Sequence, residues 1–338
     1  LAEDLPPARP FVRPLEDESD MNKLAIITGF LGRLGNRYMV YQDDRTLAEK
    51  MARASEIVGV DGLELCYPAD FQDPLELKTL LRQYGFGVSA VNFRSRRSGK
   101  WWRGSFVSEK ASERQEVVDD FRRAVDFAAE LGCYRVTTCP LNEGADTLFE
   151  MDYVRAYDYA LEAFAAACAH NREVRVCIEY KISDPMARCL LGTAGETASF
   201  CMLSGADNLG ATFDVGHALI AGERPAQSAA LLARTGRLFY IHLNDNDSHW
   251  DWDMLPGAFH LWEFVEFFYT LSKLGYKDDW YAFDIFSKEL DTVENLSAGM
   301  QLTRKLEEIT KRIDSATMED LLKKRDSSKT IPYLYSLL

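Results

Sequence analysis

Eight short apolar runs, separated by long helical patterns, constrain this chain more than any other feature. They are "LAIIT" (24–28), "GLELCY" (62–67), "GVSAVNF" (87–93), "YRVTTC" (134–139), "VRVCIEY" (174–180), "LGATFDV" (209–215), "LFYIHLN" (238–244) and "WYAFDIF" (280–286). Near-continuous apolar runs suit strands buried on both faces, the condition of a parallel sheet covered by helices. The segments between them carry the helical period. In "ERQEVVDDFRRAVDFAAELG", Val117, Phe121, Val125 and Phe127–Ala128 make one apolar stripe. Gly85, Gly132 and Gly275, near the ends of such segments, suit left-handed caps.

Eight strand-then-helix repeats over residues 22–313 predict an α/β fold, a closed (β/α)8 barrel. Its rival, an open doubly wound sheet, calls for a glycine-rich phosphate turn after an early strand, and "GFLGRLGNRY" does not supply one. Residues 314–338 read as a C-terminal extension, a short helix with an apolar tail. Residues 1–21, rich in proline and acid, read as a disordered leader or an appended remnant outside the fold.

Composition narrows the partners. Lys plus Arg number 39 against 53 Asp plus Glu, a net charge of -14, which repels nucleic acid. No run of about 18 apolar residues predicts a membrane span. The seven cysteines form no CxxC pair and sit largely in apolar runs, as small core residues of a reducing compartment do. With no signal-peptide pattern at the start, the expected location is cytoplasmic.

In a barrel, chemistry gathers at the C-terminal ends of the strands. Those ends supply Glu179, Asp214, His242 and Asp284 from the last four runs. A single Asp after a strand is ordinarily a helix cap, and a single His ordinarily a hydrogen-bonded core residue. Four such residues at equivalent positions repel one another unless a divalent cation compensates them. A second layer follows: His217 lies three residues past Asp214, and Asp251 and Asp253 alternate around Trp252 in "HLNDNDSHWDWD". With Asp214 these make a second, oxygen-rich set suited to Mn2+, Mg2+ or Co2+. The plain alternative for "DSHWDWD" is an exposed acidic turn, but its tryptophans suit the floor of a sugar pocket, with Trp252 as the ring that meets substrate. The loop "NFRSRRSGKWWRGSF" offers Asn92, Arg94, Lys100, Trp101 and Phe106 as a lid over a sugar, or else as a subunit contact.

"IEYK", "FDVGH", "IHLNDN…WDWD" and "FDIF", in that order, resemble the metal signatures of the xylose isomerase-like TIM barrels, nearest to the sugar isomerases acting on xylose and L-rhamnose. The resemblance spans about residues 22–312. It implies a structural metal on Glu179, Asp214, His242 and Asp284, and a catalytic metal on Asp214, His217, Asp251 and Asp253. It also implies that Lys181 hydrogen-bonds the substrate's O1; without the resemblance, Lys181 reads as a surface lysine. The implied enzyme is a Mn2+-, Mg2+- or Co2+-dependent aldose–ketose isomerase of an unphosphorylated sugar. It works by a 1,2-hydride shift, with Asp253 helping to move the hydroxyl proton, and forms a homodimer or homotetramer. The tail "IPYLYSLL" and the segment "HLWEFVEFFYTLSKLGY" add apolar surface in keeping with association.

The chain also departs from the pattern. Cys66 stands where the family has its ring-opening histidine, and Cys139 where a tryptophan is common, which leaves Asp70 or water to open the ring. Rival readings are a one-metal ketose 3-epimerase, in which Glu179 takes part in proton transfer and the eighth strand usually ends in Glu, and a C-glycoside-cleaving lyase. An abasic-site phosphodiesterase needs more than the five histidines present and a basic groove. A non-catalytic sugar-binding barrel would have lost ligand positions that are all filled here.

Overall fold

The structure is a computed structural model that describes residues 21–338 except positions 37, 98 and 278. The expected leader lies outside the described residues apart from Met21. Eight strands form a closed barrel: β1 (Lys23–Ile27), β2 (Gly62–Tyr67), β3 (Gly87–Phe93), β4 (Arg135–Thr138), β5 (Arg175–Glu179), β6 (Leu209–Asp214), β7 (Leu238–Leu243) and β8 (Trp280–Phe283). Each pairs in parallel with the next, and β8 closes onto β1 through Lys23–Trp280 and Ala25–Ala282. All eight apolar runs thus become neighbouring strands in sequence order.

Helices α1 (Leu47–Glu56), α2 (Pro74–Tyr84), α3 (Ala111–Glu130), α4 (Tyr153–His170) and α5 (Ala194–Leu203) follow the first five strands. The short α6 (Val215–Ile220) leads into α7 (Pro225–Arg234); α8 (Leu261–Leu274) and α9 (Thr292–Lys311) complete the ring. Local sequence sets these boundaries. Asp73 caps α2 by accepting from the amides of Leu75 and Glu76, Pro74 fills its first turn, and Gly85 ends it at φ +72°.

The core has two layers. The larger lies between strands and helices, where Phe93, Phe106, Phe121 and Phe164 interlock. The smaller lies inside the barrel and is built from small or narrow side chains: Ala25, Ile27, Cys66, Ala90, Cys177, Tyr240 and Ala282. At the N-terminal end, Arg135 plugs the barrel. Its Nη2 donates to both carboxylate oxygens of Asp279 at 2.7 and 2.9 Å, and its guanidinium lies 4.5 Å from the Tyr240 ring. That end is closed by paired charge.

Beyond the barrel, α10 (Ser315–Lys324) and α11 (Ser327–Tyr335) form the extension. Tyr333, Leu334 and Leu337 lean on the main core, and Tyr335 meets Trp262 at 5.2 Å. The apolar side of α8 (Phe264, Val265, Phe267, Phe268 and Leu271) is buried within the molecule, so the surplus apolar surface expected of it is already covered. Ile331, Tyr335 and Leu338 of the tail stay exposed. Among the described residues no helix is long and apolar enough to cross a membrane, and all seven cysteines are free.

Candidate metal centre and active site

Alternation along a strand sends every second side chain inward. On β5 that places Cys177 and then Glu179 inside, on β6 Thr212 and Asp214, and on β7 Tyr240 and His242. Register aligns them: Thr212 lies beside Glu179 and Asp214 beside His242. Asp284 follows β8 directly. Glu179, Asp214, His242 and Asp284 each bring a ligand atom to within 4.8 Å of the others. From His242 Nδ1, Glu179 Oε1 is 3.4 Å away, and Asp214 Oδ2 and Asp284 Oδ2 are both 3.9 Å away.

The second ring nitrogen decides the fit. His242 Nε2 meets Glu64 Oε2 at 3.0 Å, so it carries the proton, while the buried Nδ1 has no hydrogen-bond partner and faces three carboxylates. One imidazole nitrogen and three carboxylate oxygens form a hard donor set that fits Mn2+, Mg2+ or Co2+.

The electrostatics agree. In the protein alone, burial pushes the Asp284 carboxyl up to about 8, with Glu179 and Asp214 adding to it. Burial likewise raises Asp214 to about 6, against the pull of His217. Burial opposes a charge on His242, yet Glu64 and Glu179 hold its proton well above the usual range.

Most of "HLNDNDSHWDWD" builds the wall of this site. Asn244 donates to Asp214 Oδ2 at 2.7 Å and so orients that ligand. Gly216 of "FDVGH" makes room for it, because a Cβ there would lie 1.8 Å from Asn244 Oδ1. Asp245 accepts from the amides of Phe259 and His260 and from His260 Nδ1, closing the loop at its base. Asp247 accepts from the amides of His249 and Trp250 and from Trp252 Nε1. The remaining two acids, Asp251 and Asp253, are the ones the loop turns toward Lys181.

Asp251 is engaged. Lys181 Nζ lies 2.7 Å from Asp251 Oδ2 and 3.1 Å from Asp184, and His217 Nε2 lies 3.2 Å from the same Asp251 oxygen. Burial opposes the lysine's charge, but Asp251 and Asp184 hold it well above the usual range. Asp253, left-handed at φ +48°, has its carboxyl raised by burial and then by Asp251 and Asp284. Among the described residues, Asp214, His217, Asp251 and Asp253 do not meet as one ligand group.

The residues expected to touch substrate scatter. Asn92 donates to Glu64 Oε1 at 2.5 Å, inside the barrel. Phe106 is wholly buried and lies 4.7 Å from Phe164, on the helix side of the wall. Trp101 is buried beneath Arg97 and Lys100. Trp252 stays exposed at the rim with Lys288 over its ring at 4.9 Å. Asp70, weighed as a ring-opening group, is buried and tied to Lys50, Thr28 and the Cys66 amide.

Sequence reasoning passed over Glu64, whose signal was a carboxylate inside an apolar strand. It also passed over Arg96. Arg94 and Arg96, from the loop after β3, both feel the charge of Glu179, and Arg94 also feels that of Asp284.

The family match covers residues 51–306 and is to the xylose isomerase-like TIM barrels. The chain belongs to this family. Solved structures with the same fold include an L-ribulose 3-epimerase at 18% identity and a TM-score of 0.66, covering 86% of this chain and 96% of that one. A D-psicose 3-epimerase from Clostridium cellulolyticum H10 with D-tagatose has 15% identity and a TM-score of 0.61, covering 84% and 99%. The 3-keto-D-glucoside 4-epimerase of E. coli has 15% identity and a TM-score of 0.63, also covering 84% and 99%. At such identities these xylose isomerase-like relatives share the fold, and the site must speak for the chemistry.

Proposed function

We propose that this family member is a one-metal ketose 3-epimerase that moves a proton at the carbon beside a sugar carbonyl. One observation carries the reading: the Lys181 ammonium takes up Asp251, the carboxylate that a second oxygen-rich metal would need. That leaves the hard centre on Glu179, Asp214, His242 and Asp284. A divalent cation held by these four residues would supply Lewis-acid polarisation to the sugar carbonyl. Glu179 and Asp284 are the proton carriers: one takes the proton from the carbon on one face, and the other returns a proton on the opposite face. Lys181 donates to a substrate oxygen and is held in place by Asp251 and Asp184. The 3-epimerases among the structures of like fold are in keeping with this reading.

The aldose–ketose isomerase keeps one observation in its favour. Lys181, Asp251 and Asp253 stand together, with His217 between Asp251 and Glu179, as a hydride-shift site requires. Solvent isotope separates the two. With Mn2+-loaded enzyme and a panel of unphosphorylated ketoses and aldoses in D2O, the epimer forms and both recovered ketoses carry deuterium at C3. An aldose product without solvent deuterium on carbon would return the enzyme to the hydride shift, and turnover of no sugar would overturn the substrate class.

A further inference from the structure

Two groups beside the hard centre have no part in that reading, the buried His217 Nδ1 and the half-buried Cys139 thiol. Asp251 holds the His217 ring by Nε2, which turns Nδ1 back toward the barrel axis. There it lies 3.4 Å from Glu179 Oε1, in a side chain only 4% exposed, with no hydrogen-bond partner. Cys139 follows β4, and its sulfur, a Glu179 oxygen and a His217 nitrogen all fall within 4.8 Å of one another. Glu179 Oε1 therefore lies 3.4 Å from two unpartnered imidazole nitrogens, His242 Nδ1 and His217 Nδ1.

The two sides differ in chemistry. Toward His242 the other donors are carboxylates; toward His217 the other donor is sulfur. Thiolate and imidazole favour borderline and soft cations over Mg2+ or Mn2+. We propose that Cys139, Glu179 and His217 form a second metal position, selective for Zn2+ or Cd2+, that shares Glu179 with the hard centre. On binding, the Cys139 thiol gives its proton to solvent, and the thiolate and Glu179 carboxylate together balance the dication. The fourth position is open to water. This differs from the oxygen-rich second site expected from the sequence, because Asp251 is engaged by Lys181 and the usable nitrogen of His217 faces the other way. Since Glu179 is shared, Zn2+ at the sulfur side competes for the carboxylate on which the hard centre depends.

Cobalt tests this, because Co2+ occupies both kinds of site and reports sulfur by a near-ultraviolet charge-transfer band. EDTA-stripped full-length protein titrated with Co2+ is expected to bind two equivalents and to show that band. Cys139→Ser is expected to lose the band and one equivalent while keeping the visible absorption of the hard centre, and Cys66→Ser is expected to keep both. A band that is absent in the unaltered protein, or that survives in Cys139→Ser, overturns the proposal. Should Cys139→Ser not fold, cadmium NMR of the unaltered protein decides: a sulfur-ligated resonance supports the proposal, and only oxygen- or nitrogen-ligated ones overturn it. Failure of the hard centre reads differently, as a single sulfur-ligated cobalt in the unaltered protein and none in Cys139→Ser.

Discussion

Glu64 shows how one buried carboxylate orients His242, the proposed metal ligand, from behind. It accepts twice, from His242 Nε2 at 3.0 Å and from Asn92 Nδ2 at 2.5 Å. Both are donors, so both need an acceptor. The arrangement fixes the proton on Nε2 and leaves Nδ1 for the cation, as outer partners of metal-bound histidines do. Glu64→Gln keeps the size but offers only one acceptor, since its amide nitrogen then faces a donor. Calorimetric titration with Mn2+ should show affinity falling roughly 10- to 100-fold, with the metal-free protein still folded. Unchanged affinity would mean that Glu64 does not govern the ligand.

At the scale of elements, the loop between β3 and α3 explains why Phe106 is a core residue. Glu143, from the loop after β4, accepts from the Ser105 amide and hydroxyl at 2.7 Å and from the amides of Phe106 and Val107 at 3.1 Å. Gly104 at φ +93° permits that approach, because a Cβ there would touch both Glu143 and Val107. Pinned in this way, the chain drives the Phe106 ring between Phe121 and Phe164. Phe106→Ala should therefore cost about 3–5 kcal/mol in denaturant unfolding and leave KM for the sugar unchanged in the folded fraction. A raised KM with little loss of stability would put the ring at the substrate after all.

For the whole molecule, stability and metal are linked through the acids and histidines of the barrel mouth. Asp284 rises from 3.8 to about 8, Asp214 from 3.8 to about 6, and His217 from 6.5 to about 9. Each binds its proton more tightly folded than unfolded. Their contribution is present at low pH and is lost as pH rises through the folded values. Metal-stripped protein should therefore lose Tm progressively from about pH 4, the unfolded value of the two aspartates, to about pH 9, where His217 gives up its proton. Saturating Mn2+ should raise Tm by mass action and flatten that decline, because the cation takes the place of the protons. A Tm in thermal scans that ignores both pH and Mn2+ would remove the metal centre.

The sequence by itself determined the barrel, because a strand buried on both faces must be apolar along its length and the eight runs say so in order. It also placed the residues proposed to carry the chemistry, since alternation turns Glu179, Asp214 and His242 inward near their strand ends, with Asp284 just past β8, where the four converge. Tertiary structure alone decided how those groups are spent. Spacing shows that Lys181 and Asp251 belong to the same mouth, but not that the ammonium pairs with the acid at 2.7 Å. Nor does it show that Glu64, from β2 across the barrel, holds His242 by Nε2 and so chooses which nitrogen faces the acids. Period fixes which side of a strand a residue occupies. Which partner it finds there depends on side chains from distant strands and loops, and that competition is settled only when the barrel closes.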